Sequence, residues 1–130
     1  MNEPKPSIKA LLVCDSVAQE VGSGKRSIIG IFDKIVAGSV PCTHPQMAVY
    51  FSAIDAEGSY KFRLDLVIVN TENVIARGEI SMDVANRFEP IEGAIILQGL
   101  NFPEAGKYEF RLYANGTFLE SKEITILLAQ

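Results

Sequence analysis

Chemistry in this 130-residue chain would have to come from a few short stretches, and the most suggestive is Gly22-Ser23-Gly24-Lys25. A phosphate loop needs a glycine five positions before Gly24, where Gln19 stands, a Ser or Thr after Lys25, where Arg26 stands, and then a helix to take the phosphate. A strand pattern follows instead, so the stretch reads as the connection between two strands. Cys42 and His44 lie two positions apart, and thiolate and imidazole both bind zinc. Structural zinc takes four ligands, however, and the chain has no second His and one other thiol, Cys14, inside a strand pattern. The pair therefore reads as two loop residues without a metal.

Asp15, Asp33, Asp55, Glu57 and Asp83 fall at expected strand ends, where a calcium ion would need about six to eight oxygens drawn together. No dense Asp-x-Asp loop gathers them, and turn carboxylates are ordinarily solvated. For nucleophilic catalysis the material is thinner still. The single His precedes Pro45, no Gly-x-Ser-x-Gly elbow occurs, and neither cysteine carries a nucleophile signature. The sequence thus points to no catalytic residue, no metal, no cofactor and no enzyme. Asn115-Gly116-Thr117 matches a glycosylation acceptor, but the apolar run Ala10–Val13 is too short for a signal-peptide core, and the chain is expected in the cytoplasm. There Cys14 and Cys42 are expected as unpaired thiols.

The elements that would carry these residues are strands. Tyr108, Phe110, Leu112 and Ala114 alternate with Lys107, Glu109, Arg111 and Tyr113, a period of two that marks a strand with one buried face. Asn115-Gly116 stops it, because both central residues of a type I′ turn need positive φ. A two-residue loop would oppose Ala114 with Thr117, Tyr113 with Phe118, Leu112 with Leu119, Arg111 with Glu120 and Glu109 with Lys122. The later apolar positions Ile124, Ile126 and Leu128 have the opposite parity to Leu119, so a one-residue bulge is expected between Ser121 and Glu123.

Upstream, Ile8–Val17, Ser27–Phe32, Met47–Ile54, Tyr60–Val69, Val74–Met82 and Ala94–Phe102 read as further strands, with the segment after Asp33 continuing the second of them. They are separated by Gly-, Pro-, Asn- and Asp-rich turns. Pro41 to Pro45 and Asp83 to Gly93 read as connections. No helical period competes, so the expected fold is all-β, a single antiparallel β-sandwich of about eight strands over residues 8–130, preceded by a flexible arm, residues 1–7. A chain of this length buries roughly two-thirds of its unfolded surface, enough for one core. The 48% hydrophobic and 22% charged composition is that of a globular domain, without the long uncharged run that a membrane span requires. A net charge of −4 with scattered Lys and Arg speaks against nucleic acid as a partner.

Four segments together bear a family likeness: Ala10-Leu-Leu-Val-Cys-Asp-Ser-Val17; Gly24-Lys25-x-Ser27-x-x-Gly30-Ile31-Phe32-Asp33; Tyr60-x-Phe62-Arg63-Leu64; and Phe102-Pro103-x-x-Gly106-x-Tyr108-Glu109-Phe110-Arg111-Leu112 with Asn115-Gly116. Over nearly its whole length the chain resembles an uncharacterised bacterial family of short proteins, a domain of unknown function. The resemblance implies a bacterial source and an immunoglobulin-like sandwich, and it brings no activity or site residue with it.

What remains is the surface. Tyr113 and Phe118 face one another one step from the turn, on a face otherwise lined by charge, where an aromatic pair is either covered by the chain or left as an anchor for a partner. The expected function is a non-catalytic protein-binding or assembly module with Tyr113 and Phe118 as its interaction residues. A second copy of the chain is the simplest partner, because symmetric homodimers are the commonest soluble oligomers. The alternative is a small-ligand or carbohydrate-binding module, disfavoured by the absence of Trp and by only four Tyr.

Overall fold

In the computed structural model, which describes residues 3–130, the chain forms nine strands and no helix among the described residues. They are β1 (Ser7–Gln19), β2 (Arg26–Ile31), β3 (Lys34–Ala37), β4 (Cys42–Ile54), β5 (Gly58–Ile68), β6 (Asn73–Val84), β7 (Ile91–Phe102), β8 (Gly106–Ala114) and β9 (Thr117–Leu128). Two sheets result, one in the order β2-β1-β4-β7 and the other in the order β3-β9-β8-β5-β6. Neighbours pair antiparallel with one exception, β3, which lies parallel to β9. Nine strands agree with the expected number of about eight, and the parallel pair corrects the expectation of a wholly antiparallel arrangement. The chain changes sheets at Phe32-Asp33: the Phe32 N–H still donates to Val13 of β1, whereas the Asp33 carbonyl already accepts from Thr125 of β9. A parallel pair requires such a crossover, and local periodicity does not reveal it.

Strand alternation turns Leu11, Val13, Met47, Val49, Phe51, Ile95 and Leu97 of one sheet toward Phe62, Leu64, Leu66, Tyr108, Phe110, Leu112, Ile124 and Ile126 of the other, in one continuous core. Phe51 of β4 and Phe62 of β5 meet across it with ring centroids 4.8 Å apart. Full burial of a Phe, Leu or Ile side chain contributes roughly 1.5–3 kcal/mol, so this shared core is the main source of stability. Two glycines let the layers approach. A Cβ on Gly93 would lie 2.9 Å from Ile80 of the facing sheet as well as 2.5 Å from the ring of its cross-strand partner Phe51, and one on Gly78 of β6 would lie 2.5 Å from Ile95 of β7, where the edges of the two sheets come together.

The closing hairpin has the expected turn, with Asn115 at φ 49° and Gly116 at φ 83°, and the expected Ala114–Thr117 and Tyr113–Phe118 pairs. Its bulge, however, is not between Ser121 and Glu123. The register slips between Tyr113 and Leu112, which pairs with Glu120, so that Leu119 is the extra residue. Arg111 then faces Ser121, and Glu109 faces Glu123 in place of Lys122. The two cross-strand charge pairs expected from an unslipped ladder do not form.

Two further boundaries differ from the sequence reading. β4 begins at Cys42, inside the stretch read as a loop, and His44 pairs with Leu100 of β7. Of the arm expected to be flexible, residues 3–6 are tied down: Pro6 is buried, and the Tyr60 hydroxyl donates to the Pro4 carbonyl at 2.6 Å while accepting from the Glu57 N–H at 3.0 Å. Met1 and Asn2 lie outside the described residues.

Candidate functional site

The outward faces of β5, β6, β8 and β9 carry the side chains that the core does not claim. Because Arg63 pairs with Tyr113 and Tyr113 with Phe118, three outward residues form one row across β5, β8 and β9. The Tyr113 ring is held from both sides. The Arg63 guanidinium carbon sits 4.2 Å from its centroid, and the Phe118 ring meets it edge-on at 5.7 Å with an interplanar angle of 71°. A cation over an aromatic face is worth about 0.5–1 kcal/mol at an exposed site, which stiffens the arrangement more than it stabilises the domain. Tyr113 is half-buried by these neighbours, while Phe118 is 46% exposed.

One row further from the turn lies Asp65, buried to 3% exposure and the sole buried charged residue among those described. It tolerates burial because its Oδ1 accepts from two arginines, Arg63 Nε at 3.1 Å and Arg77 Nε at 3.0 Å. Beside it Arg111 donates to Glu109 at 2.8 Å and, through both terminal nitrogens, to Glu72 at 3.2 and 2.9 Å. The Arg111 guanidinium holds the Glu72 carboxyl below the usual carboxylate range. Its hydrogen bonds to Glu72 and Glu109 in turn push the Arg111 pKa up. Lys61 with Glu79 at 3.1 Å and Lys107 with Glu123 at 3.4 Å complete the ion pairs on these strands.

The outer face of the other sheet is different in kind. Cys14 and Ala48, paired across β1 and β4, and Tyr50, paired with Leu12, are buried. Tyr50 donates its hydroxyl proton to Glu92 of β7, and Glu92 also meets Arg26 of β2 at 3.3 Å, a link between the sheet's two edge strands. Burial, reinforced by the Glu92 carboxylate, pushes the Tyr50 hydroxyl up, and burial with the nearby Asp15 charge does the same to the Cys14 thiol. A group of this kind favours the protonated form and is poorly suited to act as a nucleophile at neutral pH.

The stretches that first suggested chemistry stay apart. Gly22 to Lys25 forms the β1–β2 turn, in which the Lys25 N–H donates to the Ser23 hydroxyl at 3.2 Å. Cys14 and Cys42 are free thiols in different strands, and the His44 ring meets that of Phe32 at a tilt of 42° with centroids 5.7 Å apart. Asp83 accepts from the Ser59 hydroxyl at 2.8 Å and Glu57 from the Arg87 N–H at 3.2 Å. Among the described residues no three His, Cys, Asp or Glu side chains converge as a metal site would require. A pocket of about 370 Å³ opens between residues 3–6 and the β8–β9 turn, but its two central polar groups are already bonded: the Tyr60 hydroxyl to Pro4, and the Asn115 amide to Lys61 and Ser59.

Tyr113 and Phe118 are thus brought together as the sequence suggests. Arg63, Asp65 and Arg77 were not anticipated. Their signal in the sequence is Asp65 itself, a lone charge inside the apolar run Leu64–Ile68, which a purely hydrophobic strand would not keep without partners.

Residues 9–127 match a family described as a family of unknown function (DUF6941). No curated protein matches the chain. Among solved structures, it is similar to a β-glucosidase from Listeria innocua in complex with isofagomine, at 10% identity and a TM-score of 0.48, over 95% of this chain and 16% of that one. It is also similar to the alkylpurine DNA glycosylase AlkC of Pseudomonas fluorescens bound to DNA containing an abasic site analog, at 13% identity and a TM-score of 0.49, over 94% of this chain and 30% of that one. The chain thus spans less than a third of either protein.

Proposed function

We propose that this chain, which belongs to the DUF6941 family, is a non-catalytic protein-binding module whose contact face is the outer surface of β5, β8 and β9. The observation that carries the reading is Phe118: a large apolar ring, 46% exposed, on a rigid two-residue hairpin and braced by Tyr113, which Arg63 holds in place. Aromatic rings ordered before binding lose little conformational entropy on association, and they are enriched at the centres of protein interfaces. The charged side chains around the pair are the usual rim of such a contact.

Within this reading the domain is immunoglobulin-like and works in the bacterial cytoplasm. Tyr108, at the start of β8, supports the first part by donating its hydroxyl to the Glu104 carbonyl at 2.6 Å, four residues upstream, much as in a tyrosine corner. Free thiols at Cys14 and Cys42 support the second. A symmetric homodimer is the simplest alternative to a different protein as the partner, and it is tested first. Light scattering on the wild type and on Phe118→Ser, followed by capture of partners by each from a native lysate, should show an association that the substitution weakens at least about tenfold, equivalent to about 1.4 kcal/mol. A monomer that captures the same proteins with and without Phe118 would overturn the proposal.

A further inference from the structure

We infer that Arg63 and Arg77 together receive a carboxylate from an acidic, extended segment of a different protein, which lays an apolar side chain on Phe118. The inference rests on the protein-binding reading and specifies the chemistry of the partner. Both arginines contact Asp65 through Nε alone, at 3.1 and 3.0 Å, and on the same oxygen, Oδ1. Their terminal nitrogens make no hydrogen bond with any described residue. Two guanidinium ends therefore remain beside a single buried anion, with the side chain of Arg77 59% exposed and that of Arg63 33% exposed. A guanidinium fork matches a carboxylate in shape as well as charge.

The site is ordered before any ligand arrives. Buried Asp65 fixes the Nε of each arginine, and the Tyr113 ring beneath Arg63 fixes its plane. Ordering of this kind reduces the entropic cost of capture. Distance sets the spacing of the ligand: Arg63 and Phe118 are two strands apart in one row, roughly 10 Å at the usual interstrand spacing. An extended chain covers that in about three residues. An acidic residue followed three positions later by an aromatic one fits.

The rest of the same face indicates whose carboxylate it is. Glu79 is bonded to Lys61, Glu72 and Glu109 to Arg111, and Glu123 to Lys107. A second copy of the chain meeting this face would bring only carboxylates that are already held, these four in ion pairs and Asp83 by the Ser59 hydroxyl, so the anion is assigned to another protein.

The test is a nuclear magnetic resonance titration of the full chain with acetyl-Glu-Ser-Ser-Phe-amide, with its Gln-for-Glu counterpart and with inorganic phosphate. The expected result is a saturable millimolar shift of the Arg63 and Arg77 side-chain and Phe118 ring signals by the Glu peptide. Affinity should be at least about tenfold lower for the Gln peptide, and a comparable loss should follow in Arg77→Gln, which leaves Arg63 on Asp65 and whose fold is checked by an otherwise unchanged amide spectrum. Equal binding of the two peptides, a shift of the arginines by phosphate as large as that by the Glu peptide, or no shift at all would each overturn the inference. Those outcomes leave the protein-binding reading standing as long as Phe118→Ser still weakens partner capture, so the two failures are distinguishable.

Discussion

The outer faces of the two sheets solve the same problem in opposite ways. On the β5–β8 side, polar residues cover the strands and neutralise one another in ion pairs, down to a buried Asp65 between two arginines. On the β1–β4 side, the outward positions Cys14 and Ala48 are small and apolar, and one carboxylate, Glu92, joins Tyr50 to Arg26. A charged face depends on every partner being present, because a buried ion left alone loses its hydration without compensation. A small apolar face tolerates loss more readily. The first face is therefore suited to specific recognition, and the second to packing.

If that contrast is right, the largest effect should come from Asp65. Asp65→Ala leaves Arg63 and Arg77 facing each other without their shared acceptor. Both arginines can still turn toward water, which keeps the cost below that of a fully buried pair, at about 2 kcal/mol in urea unfolding. Asp65→Asn, which keeps shape and an acceptor, should cost less. A value near zero for both would mean that the charged face is no more interdependent than the apolar one.

A smaller effect is expected on the other side. Tyr50→Phe removes one partly buried hydrogen bond and should cost about 1 kcal/mol. It should also change the alkaline limit of stability. The folded Tyr50 pKa is raised, so its contribution is fully present below the unfolded value of about 10 and is lost as pH rises through the folded value. Melting temperatures measured from pH 9 to 11 should therefore fall less steeply in Tyr50→Phe than in the wild type. Parallel curves would show that neither burial nor Glu92 raises this hydroxyl in the folded state.

The same contrast explains what could be read in the sequence. β5 and β8 alternate because one of their faces meets a polar surface, and Asn115-Gly116 announces the turn, so this half of the molecule was legible. β1 and β4 contain near-continuous apolar runs covered on both faces, as in Met47 to Phe51, and such runs show which segment is a strand without showing which side faces the core. Pro41 and Pro45 concealed the start of β4. Both residues flank β4 pairings that Pro does not disrupt, since Cys42, Thr43 and His44 still pair with β7. The bulge was misplaced because Leu119 is apolar and was assumed to keep phase with Leu112, whereas the slip falls on Leu119 itself. The parallel pairing of β3 with β9 joins segments about ninety residues apart, and no local pattern encodes it. At the site, Tyr113 and Phe118 were legible through the turn, but the arginine pair was not, because Arg63 and Arg77 are brought together by a register between two strands.

The smallest effect on stability, and the one that matters most for function, belongs to Phe118. Its ring is about half exposed and touches Tyr113 edge-on, so Phe118→Ser removes part of one aromatic contact and no core packing. An aromatic pair is worth about 0.5–1.5 kcal/mol beyond area burial, and an exposed one lies at the lower end, so the expected loss is about 0.5 kcal/mol in urea unfolding. Tyr113→Ser should cost more, because it also strips Arg63 of its platform and loosens one of the two arms on Asp65. The pair of substitutions thus separates fold from recognition: Phe118→Ser should leave unfolding nearly unchanged and weaken partner capture, whereas Tyr113→Ser should affect both. Were Phe118→Ser to cost as much as Asp65→Ala, the ring would be part of the packing of the charged face, and the division between a recognising face and a packing face would fail.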